Sequence, residues 1–373
     1  MPEQKTEQKT GQKTGHKTEQ KTEHQSVQER AATGKACREK TPLSSHAGWM
    51  PAPDRPDPVA LLEEQDLTRE PDLVPVRHAR MLASPFTFFR GAAKIMAADL
   101  KDTPRAGLRV QLCGDAHLSN FGLFASPERQ LLFGLNDFDE TLPGPFEYDV
   151  ERLAASFIVA ARNNGFTDKE AREAALAAVT AYREAMAQFA QMSTLDIWYA
   201  RLSEDVLQGM VSGEASRKGK TSKKSRRVEK AVQKTAAKAR TRDSLQALSK
   251  LGERVDGQYR IVSQPPVIIP LRDLGEAFGM SADEVDRSLH DQLRSYRATL
   301  QDDRRHLLER FEIVDIARKV VGVGSVGTRG FIALLQGRDS GDPLFLQVKE
   351  ATRSVLEDHL PKSRYRQPGQ RVV

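Results

Sequence analysis

Residues Cys113–Gly122 read CGDAHLSNFG, and after one apolar run residues Leu135–Glu140 read LNDFDE. Asp115, Asn120, Asp137, Asp139 and Glu140 therefore fall within 28 residues, 113 to 140, among glycine, alanine and phenylalanine. Carboxylates crowded at the ends of apolar strands lose hydration unless an ion or a substrate meets them, so the cluster is read as a reaction centre and not as a folding device. Two short runs carry it. LRVQLCG, Leu108–Gly114, is a predicted strand entering the first stretch, and QLLFGLND, Gln130–Asp137, is a predicted buried strand ending in the acids.

Toward the N-terminus, RMLASPFTFFRGAAKIMAADL, Arg80–Leu100, reads as a helix that starts at Ser84 and Pro85 and shares Phe88, Ala92, Ile95 and Met96 on one face. Two readings fit Arg90 and Lys94, a pair facing phosphate and a solvated helix face, and the solvated face is preferred. Before it, MPAPDRPDPV at 50–59 is proline-rich, and residues 3–26 repeat EQKT-like tetrads with almost nothing apolar. Such sequence cannot offset the entropy of ordering, so 1–59 is expected as a disordered low-complexity tail. Beyond the acids, PGPFEYDVERLAASFIVAARNNG gives a turn, Asp149 as a helix cap, and an apolar stripe of Val150, Leu153, Ala154 and Phe157. Thr167 and Glu170 form a capping box for a further helix to about Met192.

A chain of 373 residues can bury a sizeable core and is expected to be two-lobed. Cys37 and Cys113 are its only cysteines, which excludes a disulfide framework and fits a reducing cytoplasm. No apolar run is long enough to span a membrane, and the Lys-rich start has no hydrophobic core of a secretory signal. The net charge of +6 is local in origin: between Arg217 and Arg242 stand 12 Lys or Arg residues and one acid, Glu229. No aromatic residue is interleaved there to stack on bases, so this basic insertion, 215–243, is read first as a solvated, partly helical or mobile surface, with a patch for an anionic partner such as nucleic acid, through 217–242, as the second reading. Residues 258–275 are extended and punctuated by proline, and Ala282–Leu300 reads as a helix.

The last segment changes character. Lys319–Ala351, KVVGVGSVGTRGFIALLQGRDSGDPLFLQVKEA, has the alternation of a hairpin. Gly322, Gly324 and Gly327 form G-x-G-x-x-G, but a strand follows where a dinucleotide fingerprint needs a helix. A glycine-rich loop over nucleotide phosphates remains, because such a loop joins two strands and is followed on the third by a lysine, here Lys349. Asp115 and Asn120 are five residues apart and Asp137 ends the next strand, the spacing of a catalytic base and two metal ligands in phosphoryl transfer. On that reading Asn120 and Asp137, with Asp139 beside them, hold Mg2+; Asp115 orients or deprotonates the attacking hydroxyl, and Lys349 and the glycines meet the phosphates of ATP.

At these residues the chain resembles the protein-kinase-like superfamily, and GDAHLSN is closest to the GDxHxxN form of aminoglycoside and choline kinases. SPFTFFRGAA, CGDAHLSNFG, LNDFDETLPGPFEYDVERLAAS and VGVGSVGTRG together resemble the bacterial family called domain of unknown function 2252, over roughly 60–373. The resemblance implies an α+β, two-lobed kinase-like fold, in which His117 shapes the catalytic loop and Asp149 is a structural acid. Two departures stand out. Cys113 replaces the histidine that usually precedes Gly-Asp, so the loop's bracing bonds must come from elsewhere. The glycine loop and lysine follow the catalytic loop, so the fold is expected to be circularly permuted, with a helical lobe at 60–310 and a partial nucleotide-binding β lobe at 311–373. After Lys349 the chain has 24 residues (373 − 349), and Glu357 is the candidate glutamate partner of the lysine. Three readings stay open: a phosphotransferase acting on a small molecule or a protein hydroxyl, a metal-dependent phosphoesterase using Asp115, His117, Asp137 and Asp139, or an inactive nucleotide-binding scaffold.

Overall fold

The computed structural model describes residues 25–217, 223–274 and 281–373, so the repeat at 3–24 and residues 218–222 of the basic stretch lie outside it. The chain divides after Gly48 into two compact units. In the first, Val27–Lys40 is a helix whose start is set by a capping box between Ser26 and Glu29. The span expected as a disordered tail therefore contains regular structure.

The second unit, Trp49–Val373, is mixed α+β. It opens with the helix Pro58–Asp66, capped by Asp57. The helix expected over Arg80–Leu100 is instead a set of short pieces, Val74–Leu82, Pro85–Gly91 and Ala93–Leu100. Ser84 caps the middle one as expected, accepting from Thr87 N at 3.1 Å. The break comes from packing: a Cβ on Gly91 would stand 2.7 Å from Met81 Sδ, so the two pieces cross at close range. Phe88 consequently leaves the face of Ala92 and Ile95 and is 38 % exposed.

Strand β1 (Arg109–Leu112) pairs antiparallel with β4 (Leu142–Pro145). Between them the chain makes the hairpin β2 (Phe121–Ala125) and β3 (Leu131–Leu135), extended by β5 (Leu202–Ser203). The helices Phe146–Asn163 and Asp168–Phe189 follow, the second started by the Thr167–Glu170 capping box. After Thr194–Tyr199 and Glu204–Arg217, the helix Lys223–Arg240 takes up most of the basic stretch and lies against the β2–β3 hairpin, burying Ala236.

The helix Ser244–Leu251 leads to β6 (Gly252–Val255), β7 (Gln258–Ile261) and β8 (Ile268–Pro270). Beyond the short helix Leu271–Leu274 and the helices Ala282–Thr299 and Asp302–Leu308 come β9 (Glu312–Lys319), β10 (Gly330–Gln336) and β11 (Pro343–Lys349). These form an antiparallel sheet in the order β11-β10-β9-β8. Leu248, Ile261 and Ile268 share its apolar layer with Ala317, Ile332 and Leu334, so the sheet draws in residues from well before position 311.

After β11 the chain leaves this sheet. The turn Val355–Asp358 inserts Leu356 among Leu100, Leu112, Leu142 and Tyr148, and the helix Pro368–Val372 follows. Among the described residues no helix is long and apolar enough to cross a membrane, and Cys37 and Cys113 are both free.

Candidate functional site

β1 ends at Leu112 and the chain turns sharply at Gly114, whose φ of 89° is reserved in practice for glycine. A Cβ there would also lie 2.2 Å from the carbonyl oxygen of Glu140. The bracing that a histidine would have supplied comes from Asp149: its carboxylate accepts from the backbone N–H of Cys113 at 2.7 Å and of Gly114 at 2.9 Å. Asp149 is therefore not the helix cap expected for it, since Pro145 occupies the N-cap position. Burial raises its pKa even against these two donors. Burial, aided by the charge of Asp149, pushes the Cys113 thiol up to about 12. Further along the loop, Leu118 N donates to Ser156 Oγ at 3.0 Å, and Asn120 Nδ2 donates to the Asp115 carbonyl at 2.7 Å. The helix Phe146–Asn163 thus holds the loop with a polar face.

Asp115 and His117 stand together. Arg152, which is 2 % exposed, donates from Nε to Asp115 Oδ1 at 2.6 Å and from Nη2 to the Phe89 carbonyl at 3.0 Å, with its guanidinium 4.5 Å from the Phe89 ring centre. Desolvation outweighs this ion pair and pushes Asp115 up to about 6. His117 Nε2 lies 3.6 Å from Asp115 Oδ2, too far for a hydrogen bond. Burial and the nearby Arg152 and Arg90 push this imidazole down to about 3, so it is neutral, and its buried Nδ1 has no partner. His117 is buried, and its carbonyl accepts from Asn120 N at 2.9 Å.

Lys349 crosses to the same centre from the end of β11. Its Nζ lies 3.7 Å from Asp137 Oδ2 and 3.5 Å from Asp139 Oδ2. Burial, and then the neighbouring Asp137, raise the pKa of Asp139. Glu357 is not the lysine's partner: its carboxylate faces Arg353 at 3.5 Å and Arg371 at 3.9 Å. The acids 137 to 141 are instead held by the returning C-terminal segment. Glu140 accepts from Val355 N at 2.7 Å while its own carbonyl accepts from Ser354 Oγ. Buried Arg371 donates to the carbonyls of Thr141 at 2.6 Å, Asp139 at 2.7 Å and Thr352 at 2.9 Å. Burial pushes Glu140 up to about 7.

The loop between β9 and β10 closes the other wall. Gly322 and Gly327 have φ of 71° and 90°, and a Cβ on Gly324 would approach the Arg90 carbonyl to 3.0 Å. Val323 packs with Met81, Ala92 and Ile95, and Val326 with Leu73. Arg80 donates to the Gly322 carbonyl at 2.8 Å, Arg69 to that of Val326, and Glu70 N to that of Gly327 at 2.8 Å. The glycine loop is thereby fastened to the N-terminal helices. Between it and Asp115, Asn120 and Asp137 lies a cleft of about 440 Å3.

Gly322 and Gly324 line the cleft, but Gly327 faces Arg69 and serves the turn. Arg90 and Lys94, assigned to a solvated helix face, also line it. They belong to separate helices either side of Ala92, so the single face expected of one continuous helix does not form and the break decides where each side chain points.

The oxygen donors available to a cation are Asp137, Asp139 and the Oδ1 of Asn120, whose amide nitrogen is occupied by Asp115 O. Hard oxygen atoms in this number suit Mg2+, which takes one or two protein ligands and completes its shell with water and phosphate. Among the described residues no group of three or more His, Cys, Asp or Glu side chains is placed to hold a metal unaided, so Asp115, His117, Asp137 and Asp139 do not assemble as a four-ligand cluster.

A family model described as an uncharacterized protein conserved in bacteria (DUF2252) matches residues 69–373. No curated protein and no solved structure matches the chain.

Proposed function

The chain belongs to the DUF2252 family, whose description assigns no activity, and from the site itself we propose an ATP- and Mg2+-dependent phosphotransferase acting on a hydroxyl of a small molecule or protein. The observation that carries this reading is the meeting of Lys349 with Asp137, 3.7 Å apart although one ends β11 and the other follows β3, far earlier in the chain. A lysine on the second strand after a glycine-rich turn, facing an acid that ends a hairpin, is the arrangement that nucleotide phosphates and a divalent cation require. We read the architecture accordingly as protein-kinase-like with its order permuted, the helical catalytic part preceding the glycine-loop sheet.

Asn120 and Asp137 would hold the cation, which when bound neutralises charge on the phosphate oxygens. Lys349 and the backbone of the glycine loop bind the nucleotide. Asp115, oriented by Arg152, takes the proton of the acceptor hydroxyl. The hydroxyl oxygen bonds to the terminal phosphorus, the bond from that phosphorus to the bridging oxygen breaks, and ADP leaves. Because Asp115 must be ionised to act as the base, transfer should rise with pH through about 6.

The test is nucleotide binding and transfer by the full chain. ATP with Mg2+ should raise the melting temperature, Lys349→Ala should remove that shift, and Asp115→Ala should abolish transfer while leaving it. Stabilisation by Mn2+ alone with no response to ATP would replace this reading with the phosphoesterase. Binding without transfer in the parent would leave a nucleotide-binding scaffold.

A further inference from the structure

Among the described residues, the cations around the cleft are, with one exception, already engaged. Lys94 lies 2.9 Å from Glu64 and 3.5 Å from Asp358, Arg353 faces Glu357, and Arg69 donates to the Val326 carbonyl. Lys349 sits on the two acids and Arg152 on Asp115. Arg90 is different. Among the described residues its guanidinium donates no hydrogen bond and joins no ion pair, whereas Arg69 and Arg152, which also bury a guanidinium nitrogen without a partner, each donate elsewhere.

The position of Arg90 says what it awaits. It lines the cleft, its field reaches both Asp115 and His117, and its carbonyl lies directly beneath Gly324 of the glycine loop. A buried guanidinium nitrogen without an acceptor is costly, and a planar fork of donors matches phosphate oxygens. Lys349 approaches the centre from the Asp137 side, whereas Arg90 approaches from the side of the candidate base. We infer that Arg90 binds the terminal phosphoryl group of a nucleoside triphosphate, the group that moves. This rests on the phosphotransferase reading for the nucleotide, although the anion site stands on its own contacts.

ATP·Mg2+ and ADP·Mg2+ binding to the full chain, measured by calorimetry for the parent, Arg90→Gln and Arg90→Lys, separates the possibilities. Loss of charged hydrogen bonds to one phosphate should weaken ATP binding by about 10- to 100-fold in Arg90→Gln and leave ADP binding within about threefold. Arg90→Lys, which keeps the charge without the fork, should fall between and carries the comparison if Arg90→Gln does not fold. Equal weakening of ATP and ADP, or no weakening, overturns the inference. Inorganic tripolyphosphate is the second probe. If the parent ignored ATP yet bound tripolyphosphate through Arg90, the nucleotide reading would fall and the anion site would stand. Binding of neither would remove both.

Discussion

Glu140 illustrates what single residues at this centre are asked to do. Its carboxylate is buried against Val355 N, and burial holds its pKa near 7, above the ordinary 4.5. A carboxyl group whose pKa is raised by folding contributes stability that is complete below its unfolded value and is lost as the pH climbs through its folded value. Stability therefore falls as the pH rises from about 4.5 to about 7 and stays reduced above that. Glu140→Gln keeps an oxygen to accept from Val355 N and removes the titration. It should stabilise the chain by about 1–3 kcal/mol at pH 8 and by nothing at pH 4.5, as read from urea midpoints. Destabilisation of equal size at both pH values would contradict this. Asp115, pushed up to about 6, is shifted in the same sense. The spacing of Asp115, Asn120 and Asp137 was readable in the sequence. The role of Asp149 was misjudged, because an acid near a helix start is read as a cap unless the loop it reaches is known.

The helix Phe146–Asn163 shows the same limit at the scale of an element. Its sequence advertises Val150, Leu153, Ala154 and Phe157 as the buried stripe, yet Tyr148, Arg152, Ser156 and Ala160 are the more deeply buried. Arg152 and Ser156 can be buried because Asp115, Phe89 O and Leu118 N meet them. Periodicity cannot detect a polar face satisfied from distant parts of the chain. The C-terminal helix Pro368–Val372 is a second case. Arg371 anchors it to the acidic segment, and Arg371→Ala would strand three carbonyl oxygens. The expected cost is about 2–4 kcal/mol. Amide exchange should accelerate at 137–141 and 352–358 and stay unchanged in β9 and β10. Arg371→Lys should recover part of the loss, since one ammonium cannot span all of these acceptors. Uniform exchange in Arg371→Ala would show that the contact is incidental.

Across the whole molecule, the glycine loop and the N-terminal helices are joined by apolar contacts, Val323 with Met81 and Ile95, and Val326 with Leu73. Leu356 joins the C-terminal segment to β1 and β4. Cores that interlock in this way should unfold together. In a Cys37→Ser background, urea exposure of the buried Cys113 thiol should follow the same transition as far-UV circular dichroism, whereas earlier labelling would reveal a separable sheet. The sequence by itself determined the mixed composition, the acidic centre, the strand–glycine loop–strand order and the position of Lys349, because these depend on local spacing and periodicity. Only the tertiary structure decided that Lys349 reaches Asp137, that Asp149 and Arg152 steady the loop Cys113–Gly122, and that Arg90 faces the cleft with no partner among the described residues. Each of those is a meeting of residues far apart in sequence, fixed by how apolar faces pack and by which buried polar groups find one another, and no local pattern records it.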